Sequence, residues 1–222
     1  TVMVLIVSPH HLMMDYVMPH WMLVMGQVIS YTSGLPVFVV TAYGALTNVH
    51  RSGMRWSMPA SLLMLSMFGW AAGIVPAIID GTISVNEVMH NTQWVPGHFH
   101  FYLILGVLPM ALAMMYHVIG TRAKSPDDRG ADRLGVPVYL LGGLIFTLAF
   151  LDAGRMSVPR RYAEHLAQWM PYDRAGSIGA MLIILGMLYF AVRIIVGLSR
   201  APAAGAAPSS GGMGAGTAHS TG

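Results

Sequence analysis

His98-Phe99-His100 places two imidazoles two residues apart inside an apolar stretch that runs from Trp94 to Ile119. An α-helix turns about 100° per residue, so the two rings leave such a helix on nearly opposite faces. Ionisable groups inside a membrane are costly and usually functional. Imidazole is a common axial ligand of haem iron, so the spacing suggests one helix wedged between two haems. A second pair, His10-His11, follows Pro9 at the edge of an apolar run. Adjacent imidazoles make a half-site for copper, zinc or iron. They equally suit two histidines solvated at headgroup level, and both readings stay open. Two histidines do not complete a three-histidine site, which would need a ligand from elsewhere.

The segment His90-Asn91-Thr92-Gln93-Trp94-Val95-Pro96-Gly97 leads straight into His98. Pro96 suits a first helical turn, and Trp94 reads as an interfacial anchor. Gly97 is expected to let a bulky flat ligand approach the backbone. A capped helix start at the interface explains Trp94. It does not explain two histidines farther in.

The elements that must carry these residues are membrane helices. The chain has 222 residues, 55% hydrophobic and 9% charged, which is too apolar for an ordinary soluble domain. Several apolar runs are long enough to cross a bilayer. We read an all-α, polytopic transmembrane bundle with five complete spans: Met18 to Leu46, Ser57 to Ile79, Trp94 to Ile119, Leu134 to Leu151 and Ala175 to Leu198. Thr1 to Ser8 reads as the end of a sixth. The first residue is Thr and no basic region precedes the apolar start, so a signal peptide is not expected. A chain beginning within a longer protein is. Residues 1–198 form the membrane domain. Residues 199–222 are a low-complexity tail without apolar periodicity, expected to be disordered, and His219 within it is given no role.

With no cysteine, the chain cannot itself supply disulfides, thiolate ligation of haem or iron–sulfur clusters. Lys124 is the single lysine among twelve basic residues. No basic patch interleaved with aromatics supports nucleic-acid binding. The loops differ sharply in charge. Arg51, Arg55, Arg122, Lys124, Arg129, Arg133, Arg193 and Arg200 fall on one side if the spans alternate, which the positive-inside tendency makes cytoplasmic. The cytoplasmic side then includes the tail. On the other side, Asp80 to Gln93 has no Lys or Arg, but Asp152 to Arg174 carries Arg155, Arg160, Arg161 and Arg174. Two explanations stand: pairing with Asp152, Glu164 and Asp173, or Arg160-Arg161 binding the carboxylates of a cofactor, to which guanidinium forks are suited.

Three motifs in order, SPHHLMMD (Ser8 to Asp15), HNTQWVPGHFH (His90 to His100) and SVPRR (Ser157 to Arg161), resemble subunit I of the haem–copper terminal oxidases. The B-type branch of the cytochrome c oxidases is most similar, in its carboxy-terminal part over residues 1 to 198. The resemblance implies two haems, one low-spin and one high-spin, and one copper ion. By position, His98 would be the proximal ligand of the high-spin haem iron and His100 an axial ligand of the low-spin haem iron. His10 and His11 would be two of three copper ligands, with Asp15 as a partner orienting them. Arg160 and Arg161 would bind haem propionates, with His90 and Asn91 nearby at the proton or water exit. The family's third copper histidine, its cross-linked tyrosine and the second axial histidine of the low-spin haem lie on earlier helices. An amino-terminal half of subunit I is therefore implied as a partner, with a copper-bearing subunit II, cytochrome c or a similar donor, O2 and membrane lipid. The implied setting is a bacterial or archaeal cell membrane. The B-type pattern has an Asp four residues before HNT. Here that position is Asn86, and Glu87 is the candidate carboxylate.

Oxygen reduction consumes protons, so a path should cross the inner half of the membrane. Gln27, Ser30, Tyr31 and Gly34 share one helical stripe, with Thr41 back on nearly the same face. This stripe could relay protons, or its hydroxyls could bond helix neighbours. Val40 stands where the A-type branch has lysine, and Val37 and Phe38 leave an apolar gap. Most of the nineteen methionines read as flexible apolar filler. His20, His117 and His165 read as interfacial or loop residues. Two other functions stay open: a nitric oxide reductase-like haem–metal enzyme, and a non-catalytic membrane fragment.

Overall fold

A computed structural model describes residues 13–14, 17–54, 56–123 and 133–199. His10, His11, Asp15, the end of the expected sixth span and the tail lie outside the described residues. Five helices are long and apolar enough to cross a membrane. We label the helices in chain order: α1 (His20–Ser52), α2 (Met58–Asp80), α3 (Ile83–Met89), α4 (Trp94–His100), α5 (Leu108–Ala123), α6 (Gly135–Arg155) and α7 (Met170–Ser199). The third span is composite, because a π-helix over Phe101–Val107 joins α4 to α5.

The spans begin and end where local chemistry dictates. Ser57 caps α2, its hydroxyl accepting from the Ala60 amide, which satisfies one of the orphan donors of the first turn. Gly53, at φ 58, ends α1 in the left-handed conformation that glycine adopts without strain. This helix runs six residues past the expected Leu46, because Thr47 to Ser52 continue it as a polar extension. α7 starts five residues before the expected Ala175, with Asp173 in its first turn, where a carboxylate complements the helix dipole.

Apolar spans in lipid gain little from hydrophobic burial against one another, so close packing over small residues holds them together. α6 and α7 meet in this way. A Cβ on Gly142 would lie 2.7 Å from the Ile183 amide nitrogen, and one on Gly179 would lie 2.5 Å from that of Phe146. The core gathers Met58, Leu62, Phe101, Leu105, Tyr139 and Phe190. Tyr139 is fully buried, and its hydroxyl donates to the Ile104 carbonyl at 2.5 Å. That bond supplies a partner within the π segment, whose wider turns depart from the regular α ladder. Across from it, Gly69 of α2 admits the bulge: a Cβ there would sit 2.1 Å from the Leu105 carbonyl carbon. The outward faces of α1 and α7 expose Val28, Val40, Met181, Leu188 and Ile195, as helices bordering lipid or other subunits do.

Gly69→Ala should therefore destabilise the bundle by about 1–3 kcal/mol through overpacking. Gly44→Ala should not destabilise it and should raise stability by up to about 1 kcal/mol, since a Cβ there meets nothing within 4 Å. Thermal unfolding of the two variants in detergent checks the contrast.

Candidate cofactor site

The loop before α4 and the loop after α6 meet at the bundle end opposite the basic loops. A single antiparallel bridge pairs Thr92 with Pro159. The Gln93 amide donates to the Val158 carbonyl, and the Arg160 amide to the Asn91 carbonyl, each at 2.9 Å. Ser157 and Arg161 both have positive φ, 60° and 67°. For residues other than glycine this region is strained and often marks function. The strain turns the chain sharply on each side of the bridge and aims consecutive guanidiniums at the entrance to α4.

Arg160, Arg161 and His98 line one cleft of about 450 Å³, together with Gln93, Val95, Pro96, Phe99 and Phe150. His98 is buried, and its ring stands edge-on to Tyr102 at 5.7 Å. Of the two explanations for the arginines of the Asp152 to Arg174 segment, pairing with acids accounts for Arg155, which meets Asp152 at 2.8 Å. Asp173 instead pairs with His165 at 2.8 Å. Arg160 reaches the Asn91 side-chain oxygen at 3.3 Å.

His100 takes a different surrounding. Its ring packs against Phe146 at 5.2 Å and Phe150 at 5.8 Å, both on α6. Nδ1 lies 2.6 Å from the Pro96 carbonyl. A carbonyl can only accept, so Nδ1 donates in this bond, and in the neutral ring the lone pair is on Nε2. Such a bond fixes the tautomer and raises the basicity of a metal-ligating ring. The two histidines thus engage different neighbours, Tyr102 on one side and α6 on the other.

Several sequence expectations change. Gly97 serves α6 rather than a flat ligand: a Cβ there would lie 2.9 Å from the Leu151 amide nitrogen. Glu87 is exposed, while Asp80 and Asn86 are buried side by side. Asp80 is the carboxylate that the fold brings to this end. Its signal was an acidic residue closing the apolar run Ala77-Ile78-Ile79. His90 is buried and Asn91 exposed. On α1, Gln27 accepts from the Ile83 amide at 2.8 Å, Tyr31 hydrogen-bonds Thr82, and Ser30 bonds back to the Gly26 carbonyl at 2.6 Å. This part of the stripe therefore faces the turn after α2, at the bundle end that carries the Thr92–Pro159 bridge. Thr41, half-buried, lies farther along α1, away from that end. His20 and His117 are exposed. Among the described residues no group of three or more His, Cys, Asp or Glu gathers to hold a metal ion.

Residues 1–198 match the family model for cytochrome c and quinol oxidase polypeptide I. The chain belongs to this family. Cytochrome c oxidase subunit 1 of Thermus thermophilus is 27% identical over 167 residues, covering 70% of this chain and 30% of the relative. That of Cereibacter sphaeroides is 26% identical over 175 residues, covering 78% and 30%. The heme-copper oxidase subunit I+III of Aeropyrum pernix is 23% identical over 171 residues, covering 74% and 21%. The chain thus spans less than a third of each of these relatives. A heme-copper terminal oxidase dimer solved by cryo-EM shares the fold, with TM-score 0.74 and 19% identity over 88% of this chain and 40% of that one. The five apolar helices and this membership make the chain a multi-pass membrane protein related to respiratory oxidase subunits, a family that works with haem and copper.

Cleft residues fit a haem on their chemistry: an imidazole, apolar walls, and two guanidiniums suited to propionates. Arg161→Gly separates backbone from charge. It should raise thermal stability by up to about 1 kcal/mol by relieving the positive φ, while lowering haem retention on dilution. Haem-to-protein ratio and unfolding temperature, measured together, test this opposition of signs.

Proposed function

We propose that this chain is the carboxy-terminal part of the catalytic subunit of a B-type cytochrome c oxidase. The enzyme would reduce O2 to water with electrons from cytochrome c and couple this to proton translocation. The observation that carries the reading is the single cleft that joins His98 to Arg160 and Arg161. When bound, two haems and a copper ion supply the redox chemistry; the protein supplies ligation, orientation and proton access.

In this reading His98 ligates the high-spin haem iron, and Arg160 and Arg161 hold its propionates at the outer side. His100 presents Nε2 to the low-spin haem iron, its ring held by the Pro96 carbonyl and by Phe146 and Phe150. His10 and His11 supply two copper ligands. The third copper ligand, the tyrosine and the second axial histidine come from the amino-terminal part of subunit I. Electrons enter through a copper-bearing subunit II. Ser30, Tyr31 and Thr41 belong to a proton path, and the tail lies on the cytoplasmic side.

His98→Ala should abolish the carbon-monoxide difference spectrum of the high-spin haem and remove oxygen uptake, with the protein still inserted. His100→Ala should chiefly perturb the low-spin haem, because its ring contacts a different helix. A normal carbon-monoxide spectrum in His98→Ala refutes the ligand assignment. His10→Ala or His11→Ala should lower the copper-to-haem ratio, read by elemental analysis, with both haems largely retained. An unchanged ratio removes the copper assignment.

A further inference from the structure

Tyr102 stands one turn beyond His98, in the π segment that follows α4. Helical side chains lean toward the amino terminus, so its ring lies over the turn that carries His98. The two rings meet at 5.7 Å and 87°, an edge-on geometry that aromatic pairs favour. Tyr102 also lies 5.2 Å from the Trp70 ring of α2, the two planes tilted by 33°. Glycine makes room for both rings. A Cβ on Gly73, one turn after Trp70, would lie 2.8 Å from Tyr102 Cε1 and 2.9 Å from Cδ1. One on Gly106, one turn after Tyr102, would lie 3.2 Å from Trp70 Nε1. A side chain at position 73 therefore fits only if the Tyr102 ring moves, and one at 106 presses on the indole. The two spans interlock, each giving one ring and one glycine: Trp70 and Gly73 from α2, Tyr102 and Gly106 from the π segment. Close interdigitation of this kind leaves a ring little freedom to turn.

We propose that Tyr102 is a positioning residue: its ring, held by Trp70 and by the recess at Gly73, fixes the plane of the His98 imidazole. This rests on the oxidase reading, in which His98 is a haem ligand. The Cβ–Cγ torsion of histidine has a broad well, so the ring plane is set by its neighbours. A ligating ring works best when those neighbours hold it in one orientation. His100 is held by the bond between its Nδ1 and the Pro96 carbonyl. His98 is held by the edge of a second ring. The contact runs from ring to ring, so the phenolic hydroxyl is not the acting group. Phenylalanine at position 102 keeps the contact, whereas a leucine there gives up the flat edge and lets the imidazole turn. Trp70 contributes by holding Tyr102, and its influence on His98 passes through that ring.

The test uses the assembled oxidase that contains this chain and reads the iron–histidine stretching band of the reduced high-spin haem by resonance Raman spectroscopy. Tyr102→Phe should keep the position and width of the band. Tyr102→Leu should shift and broaden it, with the haem-to-protein ratio and the low-spin haem spectrum retained. Trp70→Leu should move the band in the same direction and add nothing further in the Tyr102→Leu background, because the two residues act in series. An unchanged band in Tyr102→Leu overturns the proposal. So does a Tyr102→Phe variant that changes as much as Tyr102→Leu, since the hydroxyl is then the acting group, or a double variant in which the two shifts add. Where Tyr102→Leu loses the high-spin haem, Trp70→Leu decides: a shifted band beside a normal Tyr102→Phe supports the proposal, and an unchanged one overturns it. His98→Ala separates the two levels. A band that survives His98→Ala removes the ligand reading and this role together, whereas a band lost there but unmoved by Tyr102→Leu removes this role alone.

Discussion

Two backbone hydrogen bonds across the Thr92–Pro159 bridge hold one end of this bundle in register. Helix packing alone would fix His98 along its span, but it would leave the arginine-bearing loop to find its own position. The bridge ties that loop to the residues immediately before α4. A shift of one loop therefore moves the other, and the distance from the imidazole to the guanidiniums is set by backbone rather than by long side chains. Holding a large cofactor at both ends depends on this kind of preorganisation. The positive φ at Ser157 and Arg161 is strain that the bridge sustains.

Around this fixed end the bundle approaches as closely as backbones allow. Gly154 meets Trp94, and Gly97 meets Leu151, at separations that no added Cβ fits. The Trp94 indole N–H donates to the Pro76 carbonyl at 3.2 Å, joining α2 to the same corner. The helix carrying His98 and His100 is thus gripped at its entrance by α2 and α6. The two rings inherit rigid positions, one beside Tyr102 and one between Phe146, Phe150 and the Pro96 carbonyl.

The five spans were legible in the sequence because apolar length is a direct consequence of bilayer thickness. Their ends were less so. α1 outran its apolar stretch because polar residues continue a helix readily until a residue such as Gly53 turns it. The paired faces of His98 and His100 followed from helical geometry, and Arg160 and Arg161 stood out as charges on the unexpected side. Asp80 was missed because it was counted as the first residue of a loop, and only tertiary contact buries it against Asn86. Gly97 was misread for a related reason: sequence says that something comes close, not what. His10 and His11 fall outside the described residues, so the metal half-site rests on their types and adjacency.

The π segment over Phe101–Val107 gave no sequence signal, and it alters the phase of the span that contains it. Each residue of an α-helix advances the chain by about 100°, so a local widening rotates everything beyond it relative to the paired histidines. Leu112, Ala113 and Tyr116 point into the core from this rotated frame. Deleting one residue between 101 and 107 would restore a regular α-helix and leave those three side chains on the core face, because the wider turn absorbs one extra residue. The two halves of this span are therefore two helical registers joined by a phase shift. A substitution pattern read on one wheel would misassign the other half.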